Sequence, residues 1–346
     1  MQTKGGVFLM KVYTLFFICI FSFFSLIAFA QEKAMPKNGE GINQFLLSNG
    51  RTPKKYYDEF IALNKNKLGK NNSLLKGINY TLPPVSASKA KTTQNTPSSK
   101  SLKKKEPLFG KKYEEYTIQS DKLKGATFYL SSGHGGPDCG AIGKADGKEI
   151  HEDEYAYDIT LRLARNLMME GATVYIIIQD KNDGIRDDMF LKNNKKETCR
   201  GKEIPLNQVK RLQQRCDEID GLSRKDKNKY ERAVFIHLDS HSNKRQLDVY
   251  FYHHPNSEAG KRLGNTMRVT FRDQYQKHQP GRGFTGTVSG RNLYVLSNTK
   301  PVGIFAELGN IRNSFDQQRF LLSSNRQALA NWMCRGFVKD FENSKR

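Results

Sequence analysis

The chain has 346 residues, enough for one sizeable domain plus an accessory module. Only 37% of it is apolar, and no segment after the first thirty residues is apolar enough to span a bilayer. Lys and Arg number 57 against 35 Asp and Glu, a net charge of +22 that suits nucleic acid, anionic lipid or an acidic polymer; no nucleic-acid motif accompanies it, which argues against the first.

Residues 1–30 read as a signal peptide. Lys4 and Lys11 form a basic start, Val12 to Phe29 is almost wholly apolar, and Ala28-Phe29-Ala30 is an A-x-A cleavage site. The mature chain then begins at Gln31. An uncleaved anchor is the alternative, because the apolar stretch is nearly long enough to span. Export is expected, to the periplasm rather than free in the medium, with no stable membrane insertion after cleavage. Export permits disulfides, and Cys139, Cys199, Cys216 and Cys334 allow three pairings. No CxxC or Cys/His zinc spacing occurs, so isolated thiols or a single staple are expected.

Residues 31–84 read as a small α+β unit. Gly39-Glu40-Gly41-Ile42 leads into Phe45, Leu46 and Leu47. Tyr56, Tyr57, Phe60 and Ile61 recur at helical spacing up to Leu63-Asn64. Gly77, Tyr80, Leu82 and Pro83 close with a turn and a short strand. This pattern resembles a LysM module, which implies binding to N-acetylglucosamine-containing glycans such as peptidoglycan; a small spacer domain is the plainer reading. Residues 85–111 follow as a basic Ser/Thr/Lys-rich linker. Its composition cannot bury a core, and Lys103-Lys104-Lys105 reads as part of a solvated tether.

Residues 112–346 alternate helices with apolar strands. Strands are expected at 126–132, 172–178, 233–238, 248–253, 292–296 and 302–306. Helices are expected at 155–169 and 315–341. The fold class is therefore α/β, with a mixed, mostly buried twisted sheet flanked by helices.

Three of these strands run straight into unusual polar residues. They end in Gly133-His134-Gly135-Gly136-Pro137-Asp138, in Ile236-His237-Leu238-Asp239 and in Ala306-Glu307-Leu308-Gly309. Sites in open α/β sheets form beyond the carboxyl ends of the strands, so His134, His237 and Glu307 are candidates for one place. Catalytic zinc commonly takes three protein ligands and leaves one position for water. Glu149, Glu152 and Glu154 are the nearby candidates for the third. Ala156, Ile159, Leu163 and Leu167 mark the buried helix face, and Glu152 extends it. Glu154 instead continues toward Asp158, Arg162 and Arg165, read as a solvated stripe. His151 and His241 are rival ligands; His241 lies ~13 Å beyond His237 if the strand continues. His253 and His254 read as strand-edge surface residues. The segment 180–205 is long and polar, either a substrate-facing or regulatory loop or a plain surface insertion.

With these residues in place, 126–340 resembles the zinc-dependent N-acetylmuramoyl-L-alanine amidases of the type-3 family. The carriers are Gly133 to Gly143, Glu152-Asp153-Glu154-Tyr155, Leu212-x-x-Arg215, Val234-Phe235-Ile236-His237 and Ala306-Glu307-Leu308-Gly309 through Asn313. The resemblance implies that His134, Glu152 and His237 hold Zn²⁺ and that Glu307 is the catalytic acid/base. The implied substrate is the amide joining N-acetylmuramic acid to L-alanine in peptidoglycan. Asp239 and Asn310 stand where the family usually has Asn and Phe, departures that bear on substrate details. Asp138 and Asp239 are expected either to orient the histidines or to cap turns. A zinc peptidase acting on the stem peptide and a non-catalytic wall-binding or amidase-regulating protein are the competing readings.

Overall fold

The computed structural model describes residues 32–36, 40–69, 72–84, 103–240 and 246–345. The expected signal peptide, most of the linker and His241 lie outside the described residues. No described helix is long and apolar enough to cross a membrane. The chain divides into two compact units, Met1–Ser88 and Lys89–Arg346.

In the first unit, β1 (Lys33–Ala34) pairs antiparallel with β2 (Tyr80–Thr81), and α1 (Ile42–Ser48) and α2 (Pro53–Asn64) lie between them in sequence. Phe45, Phe60 and Tyr80 are fully buried and meet edge-on or tilted at its centre. Asn64 is the tie between helix and strand. Its amide donates to the Phe60 and Thr81 carbonyls, and its Oδ1 accepts the Thr81 N–H. A buried amide satisfied three ways fixes the end of α2 against β2.

The second unit opens with β3 (Lys103–Lys105) paired antiparallel with β4 (Glu115–Thr117). The lysine run is exposed, as its charge requires, but it is a strand edge rather than a tether. Then come β5 (Ala126–Ser132), the hairpin β6 (Ile142–Ala145) and β7 (Lys148–His151), α3 (Glu152–Met169) and β8 (Thr173–Ile176). β9 (Ile178–Gln179), β10 (Thr198–Cys199) and β11 (Lys202–Glu203) form a small three-stranded sheet. The rest is α4 (Gln208–Ser223), β12 (Tyr230–Asp239), β13 (Tyr250–His253), α5 (Glu258–His278), β14 (Thr287–Gly290), α6 (Tyr294–Ser297), β15 (Val302–Asn310), α7 (Ser314–Leu321) and α8 (Ser323–Ser344).

The main sheet has six strands in the order β14-β13-β15-β12-β5-β8. β8, β5, β12 and β15 run parallel, and β13 joins antiparallel to β15. Alternation sends Phe128, Leu130, Val234, Ile236, Ile304 and Ala306 into one core with α3, α5 and α8. Tyr129, Ala233 and Phe235 face the other way, onto α4 and α6. The expected α/β class with a mixed sheet between helices is what the structure shows.

Several elements depart from expectation. The run 172–178 is broken: after Ile176 the chain leaves the sheet edge, and Ile178 pairs with Cys199 of β10. The strand expected at 292–296 is the helical turn α6, its Ser297 hydroxyl bonded to Asn292 Oδ1 and the Leu293 carbonyl; a short apolar run fits either a strand or one buried helix face. The long C-terminal helix is two, because Leu322 is extended at φ −83°, ψ 118°. The buried Arg326 guanidinium satisfies the Phe320 and Leu321 carbonyls left open there. α5 was absent from the expected elements, although Leu263, Met267, Phe271 and Tyr275 recur every four residues on its buried side. Among the described residues, Cys139, Cys199, Cys216 and Cys334 stand as free thiols.

Candidate active site

The sheet brings the three polar strand ends together. β12 and β15 are in register with His237 opposite Glu307 and Phe235 opposite Phe305. Both polar side chains therefore leave the sheet on the α4–α6 face, and the His237 ring stacks on Phe305 at 4.1 Å. β5 lies on the other side of β12 and turns at Gly133. A Cβ at Gly133 would overlap the His237 ring, so only glycine lets the two strand ends close. His134 and His237 then meet edge-to-face with centroids 5.0 Å apart.

Glu152 arrives from the opposite face, at the first position of α3. Its Oε1 lies 2.9 Å from His237 Nδ1 and accepts the Leu238 N–H at 3.0 Å. Its Oε2 lies 3.3 Å from His134 Nε2 and accepts the Ala141 N–H at 2.9 Å. One ligand-type atom from each of His134, Glu152 and His237 falls within 4.8 Å of the others. Gly140, at φ +68°, makes room, since a Cβ there would sit 2.6 Å from the His134 ring and 2.7 Å from Glu152.

Further groups hold this set. Asp138 Oδ2 lies 2.9 Å from His134 Nδ1 and 2.8 Å from Arg211 Nη2. With Nδ1 turned to Asp138, His134 presents Nε2 to the cluster. Arg215, buried on α4, donates to the Gly133 carbonyl at 2.6 Å. An open cavity of about 180 Å³ adjoins the histidines, walled by Leu212, Leu293, Val295 and Phe305.

The electrostatics separate the roles. Burial disfavours charge on His134, but Glu152 and Asp138 outweigh it and hold its pKa up to about 10. Burial pushes His237 down despite Glu152 beside it. Burial would raise Glu152, but His134 and His237 bring it below the usual carboxylate range. A carboxylate held ionised between two imidazoles is a donor set that fits a zinc-type cation. Glu307 is the opposite case. Burial, then Glu152 and Asp239, push its pKa well above the ordinary value. Its Oε2 is buried with no hydrogen-bond partner among the described residues.

Other candidates fall elsewhere. His151 stands at the N-cap position of α3 outside the cluster, without a side-chain cap hydrogen bond, and its Nε2 lies 3.4 Å from Glu149. Asp239 Oδ1 accepts the Ser240 N–H of its own turn. His253 is buried rather than a surface residue, with Nδ1 on the His254 carbonyl.

The expected solvated stripe on α3 is a correction. Glu154, Asp158 and Arg162 are buried. Arg186 Nη1 pairs with Glu154 at 2.8 Å. Asp158 Oδ2 accepts from Arg162 at 2.7 Å and from Arg326 at 2.6 Å. The segment 180–205 is thus packed against α3 through Arg186 and Asn194 rather than laid on the surface. Nothing local in sequence marks these partners; the two arginines on distant segments were the missed residues.

Comparison with known proteins follows the same residues. A family model, Amidase_3, described as N-acetylmuramoyl-L-alanine amidase, matches residues 129–339. A probable cell wall amidase of Staphylococcus aureus, LytH, is 26% identical over 220 residues, covering 62% of this chain and 57% of that protein. The chain thus spans little more than half the length of the curated relatives it matches. The amidase AmiC2 of Nostoc punctiforme aligns with TM-score 0.46 at 19% identity, covering 64% of this chain and 99% of that one. The CwlD amidase of Clostridioides difficile, solved with the GerS lipoprotein, aligns with TM-score 0.48 at 19% identity, covering 63% and 98%.

Proposed function

The chain belongs to the N-acetylmuramoyl-L-alanine amidase family, and on that premise we propose that it is a zinc-dependent amidase. It hydrolyses the amide between N-acetylmuramic acid and the L-alanine of the stem peptide, in cell-wall remodelling or cell separation. The observation that carries this reading is the meeting of His134, Glu152 and His237 beside the unpartnered Glu307 Oε2.

His134, Glu152 and His237 are the residues that would hold the metal. Bound zinc supplies Lewis acidity and brings the pKa of a water toward ~7. Asp138 fixes the His134 tautomer, and Arg211 fixes Asp138. Glu307 takes the proton of the attacking water at Oε2 and returns it to the departing L-alanine amine. Its upward-shifted pKa suits the first half of that task, because it makes the Glu307 carboxylate a stronger base toward the water. The cavity beside the histidines, apolar on the α6 side, takes part of the substrate's bulk.

Residues 31–84 act as a LysM-like glycan-binding module, joined by the linker to the catalytic domain. The tether raises the effective concentration of glycan near the active site. The expected signal peptide and the proposed wall substrate support a location outside the cytoplasm, with the periplasm favoured. A non-catalytic wall-binding or regulatory protein would have no need of the full set, yet all three ligands and Glu307 are present.

Digestion of purified peptidoglycan with and without a chelator, followed by product identification, tests the reading. Free stem peptides beginning with L-alanine, formed only without chelator, are expected. Cleavage inside the stem peptide would favour a zinc peptidase, and chelator-resistant release would remove the metal.

A further inference from the structure

β13 carries the site face of the sheet one strand further, and the hydrolytic step leaves its occupants unused. Tyr250 stands opposite Glu307, and Tyr252 opposite Phe305. Strand partners in register share a face, so both tyrosines lie on the α4–α6 side with His237. Rings then follow one another outward from the metal set. His237 stacks on Phe305 at 4.1 Å, and Phe305 meets Tyr252 at 6.1 Å. The row ends on a cation: the Arg291 guanidinium sits over the Tyr252 ring, 4.8 Å from its centroid.

The backbone fixes Arg291 at this place. It follows β14 directly, and its N–H donates to the carbonyl of His253 at the end of β13. Two residues on, Leu293 lines the cavity beside the histidines, and Phe305 lines the same cavity. Arg291 is exposed. Other arginines around the site are matched to carboxylates: Arg211 to Asp138, and Arg282 and Arg319 to Asp248. Arg291 forms no ion pair with an Asp or Glu among the described residues. A guanidinium laid on an aromatic face keeps its N–H edge free for a planar anion.

Arg291 also stands on the Glu307 side of the site. Burial, Glu152 and Asp239 raise the Glu307 pKa, while His134 and Arg291 act the other way. The charges of Arg291 and Glu307 both act on the Tyr252 hydroxyl. Glu307 returns its proton to the departing amine, so the stem peptide lies beside Glu307. On one side of β15, β12 holds the metal ligand His237; on the other, β13 is open to the peptide. Neighbouring strands lie about 4.8 Å apart, and an extended peptide covers ~3.3–3.6 Å per residue. A guanidinium over β13 is thus within reach of the residue that follows L-alanine. The group it recognises best is a carboxylate, which accepts two parallel N–H bonds and carries the opposite charge.

We propose that Arg291, seated on Tyr252, is a specificity-determining residue that reads a free carboxylate on the second residue of the stem peptide. This rests on the amidase reading and deepens it. It divides the substrate between two parts of the site: the apolar cavity takes bulk, and Arg291 selects charge.

Two soluble muropeptides test this on the full chain, one with a free carboxylate on the residue after L-alanine and one with that group amidated. The parent should cleave the acidic substrate about ten- to hundredfold better in kcat/KM, the weight of a charge-assisted hydrogen bond. Arg291→Ala should bring the two substrates level, with the loss falling on KM rather than kcat. Arg291→Lys should recover part of the preference, because it keeps the charge and loses the planar fork. Binding of the two free stem peptides, followed by calorimetry, should repeat the contrast without turnover. A parent that cleaves both substrates equally would overturn the inference and spare the amidase reading. So would a preference that Arg291→Ala retains, or a loss in that variant equal for both substrates. A zinc-loaded parent that cleaves neither would overturn the amidase reading itself, and this inference with it.

Discussion

Two buried charge clusters sit on the same helix, one turn and a half apart, and they are built to opposite ends. At Glu152 the partners are two imidazoles, which offer lone pairs and can give up their protons. At Asp158 the partners are Arg162 and Arg326, guanidinium groups that never do. The Asp158 cluster is complete as it stands: every charge has its counter-charge, and the Arg326 side chain also caps α7. The Glu152 cluster has donor atoms converging on one point, with the Glu307 Oε2 unpartnered among the described residues alongside. The lesson is that burial of a carboxylate does not itself mark a site; the chemistry of its partners does.

This contrast can be broken at each end. The largest effect is expected from Glu152→Gln. It should abolish zinc binding and turnover, read by metal analysis and peptidoglycan digestion, while the melting temperature stays near the parent's. A large loss of stability with zinc retained would make Glu152 a structural acid. Arg326→Met should do the reverse. It leaves Asp158 short of a buried partner, at a cost of about 3–5 kcal/mol in chemical denaturation, with zinc stoichiometry unchanged in the folded fraction.

A smaller effect is expected from acid. Burial would raise Asp158, but Arg326 and Arg162 outweigh it, so its folded pKa lies below the unfolded value of about 3.9. Its contribution is therefore fully present above the unfolded pKa and is lost as pH falls through the folded one. Urea unfolding at about pH 5 and about pH 3 should show the parent losing stability, and Asp158→Asn losing less over the same interval. Equal losses would remove Asp158 from the acid response.

The candidate constellation was legible because each member follows a run of apolar strand residues or starts a helix. Strand ends at His134, His237 and Glu307 are visible as runs of apolar residues stopping at a polar one. The parallel register His237 opposite Glu307 then turns that pattern into proximity. The structure sets Glu152, not Glu154, beside His134 and His237, but half of the reasoning that preferred it fails. Glu154 and Asp158 are not solvated; they are buried under Arg186 and Arg326, which come from segments far along the chain. Local periodicity carries no record of such partners. For the same reason the run 172–178 hides a change of strand partner at Ile177, and Lys103–Lys105 hides a pairing with Glu115–Thr117. By contrast, the four-residue spacing from Leu263 to Tyr275 was available to reveal α5.

The central claim is that three residues hold the metal and a fourth, Glu307, moves the proton. Zinc content and peptidoglycan turnover measured together on Glu307→Gln test it most directly. The account predicts one zinc per chain, as in the parent, and turnover reduced by at least about 10²-fold. Turnover near the parent's level would contradict the role given to Glu307, and loss of zinc would contradict the separation of metal set from proton carrier.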